Sequence, residues 1–117
     1  MAEIQRFETS ARLSRAVIYN GVAHLAGQTS VDRAPDIRVQ TIDVLARIDA
    51  RLAQLGTDKS RLLTALIMVK NMKADLAGMN EIWDAWTAPG AAPARASLEA
   101  NLSGADALVE IIVTAAV

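Results

Sequence analysis

The sequence predicts an α+β domain in which one six-stranded sheet carries two helices. Three observations point to it. Short apolar runs bounded by turn residues crowd both ends of the chain. Two central segments switch to the three- and four-residue spacing of amphipathic helices. The resulting order, β-β-β-α-β-α-β-β, supplies just enough helix to cover one face of such a sheet. At 117 residues the chain fits a single domain, 1–117, with no linker, repeat or low-complexity tract.

Each element has a local reason. Glu3 to Phe7 reads as a first strand. Ala16 to Tyr19 and Val22 to Ala26 read as a hairpin around Asn20-Gly21, because both turn residues tolerate positive φ. A loop from Ser30 to Asp36 contains Pro35. From Ile37 the period changes: Ile42, Leu45, Ile48, Leu52 and Leu55 form an apolar stripe, and Gly56 is placed to stop the helix. Asp43, Arg47, Asp49 and Arg51 read as its solvated face. Leu62 to Val69 is a buried strand. A second helix runs from about Ala74 to Thr87, with Leu76, Met79, Ile82, Trp83 and Trp86 on its apolar side and Pro89-Gly90 beyond it. Gly78 lies inside this helix at a cost of ~1 kcal/mol relative to alanine. Ala94 to Leu102 alternates small or apolar residues with Arg95, Ser97, Glu99 and Asn101, the period of a strand. Residues 103–106 turn the chain into the last strand, Leu108 to Val113.

Composition excludes several functions. There is no cysteine and a single histidine, His24, so disulfides, thiol catalysis and a His-rich metal centre are ruled out. The formal net charge of -1 is at odds with an electrostatic nucleic-acid binder. No run approaches the roughly 20 apolar residues of a membrane-spanning helix, and the first residues are charged where a signal peptide is apolar. The expectation is a cytoplasmic protein without nucleic-acid or membrane partners. The chain is 52% hydrophobic but only 3% aromatic. A domain this small hides only about two thirds of its unfolded surface, and the strands at 62–69 and 108–113 are apolar on both faces, so the second face is expected to be buried against other subunits.

Two residues stand out chemically. Glu110 sits in an otherwise apolar strand, where an ionised carboxylate must be paired, hydrogen-bonded or turned to solvent. It is either a positioned acid/base or a structural strand residue. Arg95, stiffened by Pro93, offers a planar fork for a small carboxylate, against the more common reading of an ordinary surface or subunit-interface arginine. A tight turn at 103–106 would set Glu110 roughly opposite Glu99, about 13 Å along the strand from Arg95. A shared site would then need a longer turn, a bridging ligand or water, or a neighbouring subunit. Ser97 has no base at a telling spacing, and Gly27-Gln28-Thr29-Ser30 is not a phosphate loop.

Leu25-Ala26-Gly27-Gln28, Gln40-Thr41, Ile48-Asp49, Met79-Asn80, Trp83-Asp84-Ala85-Trp86, Pro93-Ala94-Arg95 and Val109-Glu110-Ile111 together resemble the RidA (YjgF) family of enamine/imine deaminases. The resemblance implies a chorismate-mutase-like, mostly antiparallel sheet with two helices on one side. It implies a homotrimer with clefts between subunits, and hydrolysis of 2-aminoacrylate or related 2-imino acids to 2-keto acids and ammonia without cofactor or metal. By resemblance Arg95 grips the substrate carboxylate and Glu110 positions the attacking water. Gly27 contacts ligand through its backbone, and Asn80, Ser97 and Leu13 fall at cleft positions. The chain departs from the best-known deaminases at Ala26, where they have serine, at Ser97, where they have cysteine, and at Leu13, where they often have tyrosine. The Ser97 position can still contribute its backbone N–H. These departures leave a non-catalytic trimer that binds a small carboxylate or a partner protein as the alternative.

Overall fold

The computed structural model describes residues 2–117. In chain order the elements are β1 (Gln5–Thr9), β2 (Ser14–Tyr19), β3 (Val22–Leu25), β4 (Gln28–Thr29), α1 (Ile37–Gln54), β5 (Leu62–Val69), α2 (Met72–Trp86), β6 (Ala94–Glu99) and β7 (Val109–Ala116). The sheet runs β1-β2-β3-β7-β5-β6, and the two-residue β4 also pairs with β7. β4 is thus a seventh strand beyond the six expected. Every pairing is antiparallel except β5 with β6. Among the described residues no helix is long and apolar enough to cross a membrane.

Local chemistry accounts for the boundaries. Asn20 (φ 52°) and Gly21 (φ 76°) make a two-residue turn, with Tyr19 paired to Val22, as two positive-φ residues require. Asp36 caps α1 by accepting from the amides of Arg38 at 2.9 Å and Val39 at 3.4 Å, and Gly56 at φ 78° ends it. Asn71 caps α2 through Ala74 N–H. Gly78 is buried where the helices cross: a Cβ there would stand 2.8 Å from Ile37 Cγ2. Close approach of α1 thus offsets the glycine's helix cost.

The helices cover one face of the sheet. Ala65, Ile67 and Val69 of β5 and Val109, Ile111, Val113 and Ala115 of β7 point to that side. They pack with Val44, Leu45, Ile48, Leu52, Met79 and Trp83. Full burial of each large aliphatic stabilises by about 1.5–3 kcal/mol. The α1 stripe is rotated from the expected one. Gln40, Thr41 and Val44 are buried, whereas Ile42 is 55% exposed and lines an outer groove between the helices with Ala46, Ile82 and Trp86.

Gln40 explains the rotation. Its amide donates to the carbonyls of Ala34 and Asp106, both at 2.9 Å, and its Oε1 accepts from Leu108 N–H at 2.9 Å. One buried side chain thereby joins the loop before α1 to the loop that leads into β7.

The C-terminal strands depart most from expectation. β6 ends at Glu99, so Ala100 and Leu102 are not in it. Nor does β6 lie beside β7: it pairs parallel with β5 at the sheet edge. A parallel pair needs a crossover, and α2 provides it. β7, apolar on its helix-facing side and carrying Glu110 and Thr114 on the other, takes the central place between β3 and β5.

Candidate functional site

The face away from the helices is mixed, half-buried along much of β5 and β7 and exposed on β6. Leu66 and Met68 of β5, Glu110, Ile112 and Thr114 of β7, and Ala94, Ala96 and Leu98 of β6 share it by register. The Thr64 and Thr114 hydroxyls meet across it at 2.5 Å. With Arg95 and Val113, several of these residues line a shallow hollow of about 380 Å³.

Glu110 belongs to this open face, beside Thr29 of β4. Its carboxylate lies directly over Gly27, where a Cβ would stand only 2.2 Å from Oε2. β3 pairs with β7 at one end and β4 pairs with it further on. Residues 26 and 27 bridge the two, and the bare Gly27 Cα makes room for the acid. Among the described residues the ion pairs are Arg38–Glu81 and Arg51–Glu8, so no cation neutralises Glu110. Leu13 stands near this end of the sheet, 41% exposed, in the β1–β2 turn. The Ala26 N–H donates to Arg15 O at 3.0 Å, which ties the start of β2 to the Gly27 segment.

Arg95 points the other way. It pairs with Ala65, which pairs in turn with Val113, both on the helix side. Its guanidinium carbon lies 5.7 Å from the centroid of the Trp83 ring, a cation–π distance. The tilted Trp86 ring packs behind at 5.4 Å, held by its N–H donating to Asp49 Oδ2 at 2.9 Å. Ser97, two residues on, shares the helix side. Glu99 closes the strip by accepting from the N–H of Met72 at 3.0 Å.

Asn80 lies on α2, three residues before Trp83. Asn80 Oδ1 and Ser97 Oγ are buried and have no hydrogen-bond partner among the described residues. Buried polar atoms are normally satisfied, so these two are groups that a polar ligand could satisfy.

The six candidate residues therefore form two groups. Gly27 and Glu110, with Leu13 nearby, lie on the open face toward the β1–β2 side. Arg95 and Ser97 lie on the helix side of β6, and Asn80 lies on α2. β5 separates Arg95 from Glu110, with three residues of register between them. At strand spacing the two backbones are roughly 14 Å apart. One chain does not bring them together.

Other polar groups read as a solvated helix face have structural partners. Asp43 Oδ2 accepts from Ser30 Oγ at 2.8 Å and Val31 N–H at 2.7 Å. Partial burial raises this carboxyl, but those hydrogen bonds, with Asp32 N–H and the charge of Arg47, hold it below its ordinary value. Arg51 pairs with Glu8. Nothing in the hydrophobic period signals these contacts, because they reach from α1 to β1 and to the loop after β4.

A two-helix layer on one side of a mixed sheet, with a carboxylate-bearing open face on the other, defines a small α+β class. Within it, the family model described as "Endoribonuclease L-PSP" matches residues 3–117. A RutC family protein of Haemophilus ducreyi is 46% identical over 114 residues, covering 97% of each chain. The RutC family protein YoaB of Escherichia coli K12 is 40% identical, over 97% of this chain and 98% of its own. The crystal structure of NMB1025 from Neisseria meningitidis, described as a member of the YjgF protein family, superposes with a TM-score of 0.93. It is 44% identical over 97% of this chain and 94% of that one. The chain belongs to the YjgF/RidA family.

Proposed function

We propose that the protein hydrolyses reactive 2-imino acids, formed from enamines such as 2-aminoacrylate, to 2-keto acids and ammonia. The observation that carries this reading is the Glu110 carboxylate, without an ion-pair partner among the described residues and seated over the bare Cα of Gly27. A carboxylate so placed holds a water and takes its proton. Water adds to the electrophilic imine carbon to give a carbinolamine. The proton returns to nitrogen, the C–N bond breaks, and ammonia leaves as the carbonyl forms. No covalent nucleophile is required, because positioning and proton transfer carry the step.

Arg95 is the partner proposed for the substrate carboxylate, with Ser97 and Asn80 offering polar contacts beside it. Its distance from Glu110 within one chain supports a homotrimer in which one copy's Arg95 edge meets the next copy's Gly27–Glu110 edge. The apolar residues of the open face, Leu66, Met68, Leu98 and Ile112, suit burial against neighbouring copies. A cyclic, head-to-tail interface makes this junction three times. The exposed Leu13 favours a second reading, a carboxylate binder without turnover. The endoribonuclease in the family model's description finds no support in a chain of net charge -1 that is poor in stacking aromatics.

The test is to generate a 2-imino acid with an amino-acid oxidase and follow its decay. Acceleration over buffer that is lost in Arg95→Ala supports the deaminase. Calorimetric binding of a 2-keto acid without acceleration selects the binder.

A further inference from the structure

We infer that the outer edge of α1 carries a separate site for a small oxyanion of the phosphate type, built by Gln28, Arg47, Arg51 and Gln54. With Ala50 these residues line a pocket of about 150 Å³, distinct from Glu110 and Arg95 and independent of the deaminase reading. Arg47, Arg51 and Gln54 follow at helical spacing on one side of α1. Gln28 reaches the pocket from β4 and is only 5% exposed.

The hydrogen bonds fix what the pocket offers. Gln28 Oε1 accepts from Arg47 Nε at 3.3 Å, and Gln54 Oε1 accepts from Arg51 Nη1 at 2.9 Å. Each amide commits its oxygen to a guanidinium, so the group it has left is an NH₂ donor. The lining residues thus contribute donors and two guanidinium groups, of which that of Arg51 is already paired with Glu8. Guanidinium forks match the paired oxygens of an oxyanion. The Arg51 side chain is only 17% exposed and is held in place through Nη1 by Glu8 and Gln54.

Two carboxylates flank the pocket. Asp43, one turn before Arg47, is engaged by Ser30 and the Val31 amide. Glu8 pairs with Arg51 from the end of β1, and its backbone is left-handed, at φ 48°, which is uncommon outside glycine. Glu8 is the internal counter-ion that an incoming oxyanion displaces from Arg51.

The experiment is calorimetric titration with inorganic phosphate at constant ionic strength, with chloride as the reference salt. The native protein is expected to bind one phosphate per chain. Arg47→Gln, at an exposed helix position that leaves the fold intact, weakens binding by about tenfold, the loss of one charge-assisted contact. Glu8→Gln strengthens it, and Arg95→Ala leaves it unchanged. Titration with a small phosphomonoester separates the sources: equal sensitivity to Arg47→Gln assigns a phosphorylated metabolite, and binding by inorganic phosphate alone assigns the free ion. Absence of saturable binding in both the native protein and Glu8→Gln overturns the proposal. So does loss of binding in Arg95→Ala with Arg47→Gln unaffected.

Discussion

Arg95 and Glu110 lie on opposite faces of one sheet, with β5 between them. Arg95 overlies Trp83 on the helix side, and Glu110 lies over Gly27 on the open side. The functional account depends on this separation, because a small imino acid cannot touch both within a single chain.

For Arg95, truncation removes the fork proposed for the substrate carboxylate. Arg95→Ala is expected to lower kcat/KM about a hundredfold, the equivalent of roughly 3 kcal/mol for a charge-assisted contact. Arg95→Lys restores charge without the fork and is expected to recover only part of the loss. Steady-state imine decay measures both, and native rates in Arg95→Ala would remove Arg95 from the site.

Gly27 and Glu110 are expected to fail in the same way. Glu110→Gln keeps the shape and removes the base, so kcat falls by about 10²- to 10⁴-fold with the circular dichroism spectrum unchanged. Gly27→Ala puts a methyl group 2.2 Å from the present Oε2 position and forces the carboxylate aside. An active Gly27→Ala variant would show that the placement of Glu110 does not matter.

Gln40 is a stability prediction. Gln40→Leu strands the Leu108 N–H and the Ala34 and Asp106 carbonyls. Each unsatisfied buried group costs about 1–3 kcal/mol, so chemical denaturation is expected to show a loss of at least about 2 kcal/mol. A variant as stable as the native protein would contradict the bridging role.

Much of the fold was legible in the sequence because it is local. The Asn20-Gly21 hairpin, the Gly56 stop and the apolar β5 and β7 follow from turn chemistry and hydrophobic period. The pairing of β6 was not legible. Its alternating residues fit a hairpin with β7 as well as an edge strand, and only the α2 crossover decides between them. The site was legible as residue types, through Arg95 and Glu110, but not as geometry, since facing depends on that same pairing. The bridge at Gln40 and the pocket at Gln28 were hidden because each joins residues far apart in sequence.

Asp43 supplies the pH prediction. Burial raises its carboxyl, but Ser30, the Val31 and Asp32 amides and Arg47 lower it further, so its folded value lies below the unfolded one. The stabilisation is therefore present above the unfolded value and is lost as pH falls through the folded value. The Val31 amide resonance is expected to titrate with a midpoint below that of an aspartyl peptide, and this titration disappears in Asp43→Asn. A midpoint at the ordinary carboxylate value would contradict the loop contact.

The most direct test of a site shared between copies is complementation. Arg95→Ala and Glu110→Gln chains are each expected to be nearly inactive alone. Co-refolded in equal amounts into trimers, they place an intact Arg95 against a neighbour's intact Glu110 at about a quarter of the junctions, as random cyclic assembly requires. The account predicts recovery of about a quarter of native imine hydrolysis. A mixture no more active than its inactive parents would contradict it.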